Sequence, residues 1–152
     1  MKSKIKIGIA GGAGYTGGEL LRILLNHPNA ELMFVHSKSN AGNPLSEVHT
    51  DLLGDTELKF SSSLSDNIDV LFLCMGHGES VKFLSENKIS EKIKIIDLSQ
   101  DFRIASKQLS VGSRQFVYGL PELNRTQIAK SNNIANPGCF ATSIQLALLP
   151  WL

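Results

Sequence analysis

The N-terminal run Lys4-Ile5-Lys6-Ile7-Gly8-Ile9-Ala10 feeds straight into Gly11-Gly12-Ala13-Gly14-Tyr15-Thr16-Gly17. It constrains the fold more than any other stretch. Alternating charge and isoleucine that turns wholly apolar predicts a strand, wet at its start and buried on both faces by its end. The segment after the glycines places Leu20, Leu21, Leu24 and Leu25 on one helical face, and Pro28 stops that helix. Strand, glycine turn and helix in that order make a phosphate cradle. Glycines permit the tight turn, and the unbonded N–H groups and dipole of the helix N-terminus favour a pyrophosphate. Two registers fit from the residues alone: Gly12, Gly14 and Gly17 as G-x-G-x-x-G, or Gly11, Gly14 and Gly17 as G-x-x-G-x-x-G.

The same alternation continues along the chain. Glu31–His36 predicts a second strand, and Ser37–Thr50, polar and rich in Gly, Asn and Ser, predicts a loop. Leu58–Ser61 predicts a short strand, Ile68–Met75 a buried strand and Gly78–Asn87 a helix. Ile93–Leu98 predicts a strand, Gln115–Pro121 irregular chain and Glu122–Lys130 a helix. Asn133–Ala135 predicts a brief strand, after which Cys139 opens a last helix. No internal repeat is present. The fold class implied is α/β: a doubly wound, mostly parallel Rossmann-like sheet with flanking helices. Residues 1–138 form the dinucleotide-binding domain in this reading, and residues 139–152 begin a further, catalytic part. The apolar run Ile144–Leu152 carries no cap or polar tail, so the chain is expected to be the first part of a longer protein whose substrate domain is missing.

The end of the second strand bears on the cofactor. NAD sites place an Asp or Glu there to hold the ribose hydroxyls. This chain has His36-Ser37-Lys38-Ser39, with no acid and one cation between hydroxyls. A 2′-phosphate suits Ser37, Lys38 and Ser39 better than a bare ribose, which points to NADP.

With 42% apolar and 19% charged residues and a net charge of +1, nothing in the composition suggests disorder. The charge gives no electrostatic reason to expect nucleic acid or a membrane surface. The two cysteines and four histidines lack metal-ligand spacing, so no metal is expected. Unpaired cysteines suit a reducing compartment, the cytoplasm. Cys74, inside Val70–Met75, is expected to pack as a small hydrophobe. Cys139 sits where Pro137-Gly138 breaks the chain ahead of a helix. The dipole and N–H groups there favour a thiolate and could hold an oxyanion. Pattern alone leaves Cys139 equally readable as a nucleophile or a buried thiol. His77-Gly78 follows the strand that carries Cys74, on the side where ligands bind in such sheets. No histidine has the context of a general base for Cys139.

Taken in order, GGAGYTGGEL, SKSNAGNPLSEVH, FLCMGHGES, IIDLSQDFRI, and YGLPELNR with IANPGCFATS resemble the N-acetyl-gamma-glutamyl-phosphate reductases of the semialdehyde dehydrogenase superfamily. The resemblance implies NADPH-dependent reduction of a small acyl phosphate, N-acetylglutamyl 5-phosphate, in arginine biosynthesis, and a homo-oligomeric parent enzyme. It implies that Cys139 is the nucleophile and that Gly11, Gly14 and Gly17, with Tyr15 and Thr16 between, form the cofactor turn. Ser37, Lys38 and Ser39 then fall on the 2′-phosphate loop, and His77 and Gly78 near the nicotinamide. The general base is expected beyond Leu152. Lys38 stands where the family commonly has arginine, Met75-Gly76 replaces Leu-Pro, and Phe140-Ala141 replaces Tyr-Pro. A sibling dehydrogenase acting on an aspartyl, aminoadipyl or N-succinyl phosphate is the alternative, as is a fragment that binds NADP and catalyses nothing alone.

Overall fold

The computed structural model describes residues 3–104 and 113–151; Leu152, the last residue of the expected catalytic segment, lies outside them. The chain forms two compact units. The first holds the residues up to Met75 together with Ile89–Lys94, and the second holds Gly76–Lys88 and the chain from Ile95 onward.

In the first unit β1 (Ile5–Ala10) leads through the glycine turn to α1 (Tyr15–Leu25), then β2 (Ala30–His36), β3 (Phe60–Ser61) and β4 (Val70–Leu73). These strands lie in the order β3-β2-β1-β4 and pair in parallel. The chain winds from β1 outward through β2 to β3, then returns to β1's other side as β4. That reversal places β1 at the switch point, where the carboxyl ends of the strands open onto a crevice. The last four residues of β1 are buried, as the apolar run predicts. Leu21 and Leu24 are buried under α1, with Leu20 and Leu25 flanking them half-buried, so the helix docks on the predicted face. The helix begins at Tyr15 rather than after the glycines, because Gly17 and Gly18 are taken up into its buried first turns.

The segment after β2 is more ordered than its polar composition suggests. It contains 3₁₀ turns at Leu45–Glu47 and Thr50–Leu52. Leu45, His49 and Leu52 are buried, and Gly42 N–H donates to Phe60 O at 2.8 Å. Polar and glycine residues face outward here while a few anchors fix the loop. In β4 buried and half-buried residues alternate, so it is less enclosed than its sequence suggests. Cys74, just beyond, is buried as expected.

In the second unit α2 (Glu79–Glu86) precedes β5 (Lys94–Asp97), β6 (Val117–Tyr118), α3 (Pro121–Lys130), β7 (Asn133–Ala135) and α4 (Cys139–Leu148). β7 lies between β5 and β6 and pairs with both in parallel. The Gln115–Pro121 stretch, read as irregular, therefore carries a two-residue strand, held by Ile134 and Ala135 rather than by its own pattern. Pro121 at the start of α3 fits the first helical turn, where a missing N–H costs nothing. Phe102 and Phe116 stack with ring centroids 3.9 Å apart in the core of this unit.

Candidate functional site

The glycine turn is dictated by close approach. Gly11 has φ +80°, and a Cβ there would lie 2.5 Å from the Cys74 carbonyl oxygen. A Cβ on Gly12 would run into the Val35 side chain, and one on Gly17 would meet Gly12 Cα at 2.7 Å. Gly14 differs: its Cβ would find only ordinary contacts, the nearest at 3.6 Å. The protein's own packing therefore requires glycine at 11, 12 and 17 but not at 14. Gly14 caps α1 from an extended conformation and is exposed. The α1 ladder starts with Gly18 N–H donating to Gly14 O at 3.0 Å, so the Tyr15, Thr16 and Gly17 amides make no intrahelical bond. No acidic side chain lies in that first turn. Glycine at an open cap beside unspent amides fits a phosphate group drawn close to the backbone.

At the end of β2 the His36 carbonyl accepts from Gly11 N–H at 3.1 Å and Gly12 N–H at 3.2 Å, tying the strand end to the turn. Asn40 Nδ2 donates to Ser37 Oγ at 3.3 Å and to Ser39 Oγ at 3.1 Å, and the two serine oxygens are 3.4 Å apart. Ser37 is buried, while Lys38 and Ser39 are exposed. The three hydroxyl and amide groups form a polar cluster, with the exposed Lys38 between the two serines in sequence and no carboxylate in their described bonds. Asn40, which the sequence reading left out, is its hub. Burial holds the His36 imidazole below its ordinary range, with the Lys38 charge acting in the same direction and a Ser62 backbone bond opposing.

The second unit holds the remaining candidates. The Asp101 carboxylate accepts from Gly78 N–H at 2.7 Å, Ser80 N–H at 3.2 Å and Val81 N–H at 3.3 Å. It thus fills the N-terminus of α2 and shapes the His77-Gly78 turn, where Gly78 takes φ +84°. His77 Nδ1 accepts from Gln100 N–H at 3.2 Å, so Nε2 is the nitrogen left to donate. Ser99 Oγ donates to Asp97 Oδ2 at 2.7 Å and accepts from Asp101 N–H at 3.1 Å. Burial pushes the Asp97 carboxyl above its ordinary range, with the Ser99 hydroxyl that donates to it opposing.

Cys139 is exposed and is the first residue of α4, after Gly138 in an extended cap conformation. Thr142 N–H donates to Gly138 O at 2.9 Å as the ladder begins, leaving the Cys139, Phe140 and Ala141 amides outside it. The turn ahead of Cys139 is anchored from beneath. Asn136 N–H donates to Asp97 O, while Arg103 Nε donates to Asn136 O and Nη2 to Leu98 O, at 2.8, 2.8 and 2.7 Å. A cleft of about 710 Å³ opens beside this helix start, lined in part by Gln100, Arg103, Tyr118, Gly138 and Gln145. The thiol therefore stands at an accessible helix N-terminus rather than in a core. Gly11, Gly14, Tyr15, Thr16, Gly17, Ser37, Lys38 and Ser39 all belong to the first unit, and His77, Gly78 and Cys139 to the second.

Comparison with known proteins places the chain in a family. The sequence profile described as "Semialdehyde dehydrogenase, NAD binding domain" matches residues 6–131. The N-acetyl-gamma-glutamyl-phosphate reductase of Flavobacterium johnsoniae is 56% identical over 96% of this chain, and that of Christiangramia forsetii is 58% identical over 96%. The chain spans only 45% and 44% of those relatives' lengths. Aspartate semialdehyde dehydrogenase II of Vibrio cholerae superposes with a TM-score of 0.73 at 21% identity, covering 98% of this chain and 46% of that one. That likeness carries the Rossmann-like fold. The chain belongs to the semialdehyde dehydrogenase family and carries its NAD-binding domain.

Proposed function

We propose that this chain is the cofactor-binding part of an NADPH-dependent N-acetyl-gamma-glutamyl-phosphate reductase, with Cys139 as its nucleophile. The observation that carries the reading is an exposed cysteine at the first position of α4, beside amides that make no intrahelical bond. The relatives' shared name supplies the substrate.

In this mechanism the Cys139 sulfur attacks the acyl carbon of N-acetylglutamyl 5-phosphate. The carbonyl electrons move onto oxygen, where the amides opening α4 are placed to hold the charge. As the carbonyl re-forms, the bond to phosphate breaks and the acyl group remains on sulfur as a thioester. NADPH, when bound, supplies the hydride that reduces this thioester. The resulting thiohemiacetal collapses by breaking its C–S bond, which returns the thiol and releases the semialdehyde. Arg103 holds the Pro137-Gly138 turn and so keeps Cys139 at the helix start.

On the cofactor side, Gly11 and Gly17 shape the turn and Gly14 admits the pyrophosphate to the Tyr15, Thr16 and Gly17 amides. Ser37, Ser39, Asn40 and Lys38 receive the 2′-phosphate, and His77 and Gly78 lie on the nicotinamide side. Preference for NADP is supported by the cation and hydroxyls where NAD sites carry an acid. Residues 139–152 begin the catalytic part, a reading supported by α4 having no buried residue. Cysteines outside any disulfide suit a cytoplasmic setting.

The test uses the full-length parent protein with N-acetylglutamyl 5-phosphate, aspartyl phosphate, NADPH and NADH. Phosphate-releasing oxidation of NADPH with the first substrate is expected. Turnover with aspartyl phosphate alone would replace the proposal with the sibling activity.

A further inference from the structure

His49 lies in the loop after β2, far in sequence from the glycine turn, and its sequence context marks no role for it. In the fold it is buried, and its Nε2 lies 2.8 Å from the Gly12 carbonyl oxygen. A carbonyl only accepts, so Nε2 carries the proton and donates it. The ring is seated on α1 at Gly18, where a Cβ would come within 2.6 Å of Cε1 and 2.7 Å of Nδ1. Glycine inside a helix is unfavourable, and here it makes room for the imidazole. The loop around His49 is fixed from several sides. His49 N–H donates to Leu45 O and Leu52 N–H donates to His49 O. Arg22 of α1 grips Asp51 with two bonds of 2.6 and 2.7 Å.

The Gly12–Ala13 peptide gives this bond its consequence. In a trans peptide the C=O and N–H point in opposite directions, and the described chain contains no cis bond. Drawing the Gly12 oxygen toward His49 therefore aims the Ala13 N–H the other way, away from the loop. A turn that cradles phosphate depends on where its amides point. The loop that holds the carbonyl begins with Ser37, Lys38, Ser39 and Asn40, so one segment carries the 2′-phosphate candidates at its start and fixes the glycine turn at its end.

We propose that His49 is a positioning residue of the dinucleotide site, orienting the Gly12–Ala13 peptide so that the Ala13 amide faces the bound pyrophosphate. The proposal rests on the cofactor reading given above. It makes Gly18 part of the device, since a side chain there displaces the imidazole.

The experiment is an equilibrium titration of the full-length protein with NADPH alone, followed by nucleotide fluorescence. His49→Ala is expected to weaken binding about tenfold, the effect of one buried hydrogen bond. His49→Gln, whose amide nitrogen can reach the Nε2 position, is expected to stay within about threefold of wild type by the same measure. His49→Asn, which reaches only the Nδ1 position, is expected to bind as weakly as the alanine variant. Gly18→Ala supplies the same test with His49 in place should His49→Ala fail to fold. It is expected to weaken binding alone but to add nothing in the His49→Ala background. Wild-type affinity in a folded His49→Ala protein, equal rescue by Asn and Gln, or additive effects of the Gly18 and His49 changes would each overturn the proposal. Absence of dinucleotide binding by the wild type would overturn the cofactor reading first, and is told apart by that control.

Discussion

Two helices of this protein start in the same way and finish differently. α1 and α4 both follow a glycine in an extended cap conformation, and both leave their opening amides outside the helical ladder. α1 buries Gly17, Gly18, Leu21 and Leu24 within its own unit. α4, whose sequence is at least as apolar, buries none of its residues, and Phe140, Ile144, Leu146 and Leu148 stand exposed. A helix N-terminus offers a place for negative charge wherever it occurs. What each site can do then depends on what surrounds it. α1's surroundings are complete enough to dictate individual glycines, which suits the holding of a rigid cofactor. α4 presents a thiol at a helix start, beside amides outside the ladder, which suits the reacting group proposed above.

This comparison breaks most sharply if the two starts turn out to serve the same purpose. Cys139→Ser in the full-length protein is expected to lower phosphate-releasing reduction of the acyl phosphate by about a thousandfold or more while leaving NADPH affinity within twofold. Turnover assays beside fluorescence titration check it, and parallel loss of both would merge the two roles.

Two glycines of the first turn sharpen the contrast further. Gly17→Ala sets a Cβ 2.8 Å from the Gly11 and Gly12 carbonyl oxygens, where only backbone could move. Urea unfolding is expected to show a loss of roughly 2–3 kcal/mol, with NADPH binding abolished. Gly14→Ala meets no such obstacle and is expected to change stability by less than about 0.5 kcal/mol. In the proposed cofactor site its Cβ would stand where the pyrophosphate is drawn to the backbone, so NADPH affinity should fall at least tenfold, a loss of about 1.4 kcal/mol. Unchanged affinity in Gly14→Ala would remove the structural reason for glycine at that position.

A smaller effect is expected at the strand end. Lys38→Ala should narrow the preference for NADPH over NADH by about tenfold, as loss of one charge-assisted contact. Titration with both nucleotides measures it, and equal loss for both would move Lys38 off the 2′-phosphate.

The smallest expected effect concerns the second unit alone. Burial raises the Asp97 pKa above its unfolded value, so the folded protein binds this proton more tightly. The stabilising contribution of the protonated group is fully present below the unfolded pKa, and it is lost as pH rises through the folded pKa. Urea melts across that window should show Asp97→Asn losing this pH dependence, and an unaltered profile would contradict the assignment.

Much of this was legible in the sequence because it is local. The strand-turn-helix order, the face of α1 set by Leu21 and Leu24, and the opening of α4 at Cys139 all follow from short-range pattern. The missing parts depend on distant partners. β6 exists because β7 offers Ile134 and Ala135 to pair with, and no pattern within Val117-Tyr118 announces that. The loop after β2 looks polar by composition, yet it is organised by Leu45, His49 and Leu52 turning inward. His49 and Asp101 act on backbone groups 37 and 20 to 23 positions away, so their chemistry appears only once the chain has folded. The resemblance supplied the Gly11, Gly14 and Gly17 register, and close packing accounts for glycine at 11 and 17. The steric need at Gly12 was not part of that reading.

In the proposed mechanism Cys139 takes the acyl group before any reduction occurs. The most direct test of that order mixes full-length enzyme with N-acetylglutamyl 5-phosphate in the absence of NADPH, then follows phosphate release and the mass of the Cys139 peptide. One equivalent of phosphate per active site and an N-acetylglutamyl adduct on that peptide are expected. Phosphate release only after NADPH is added, with an unmodified Cys139, would contradict it.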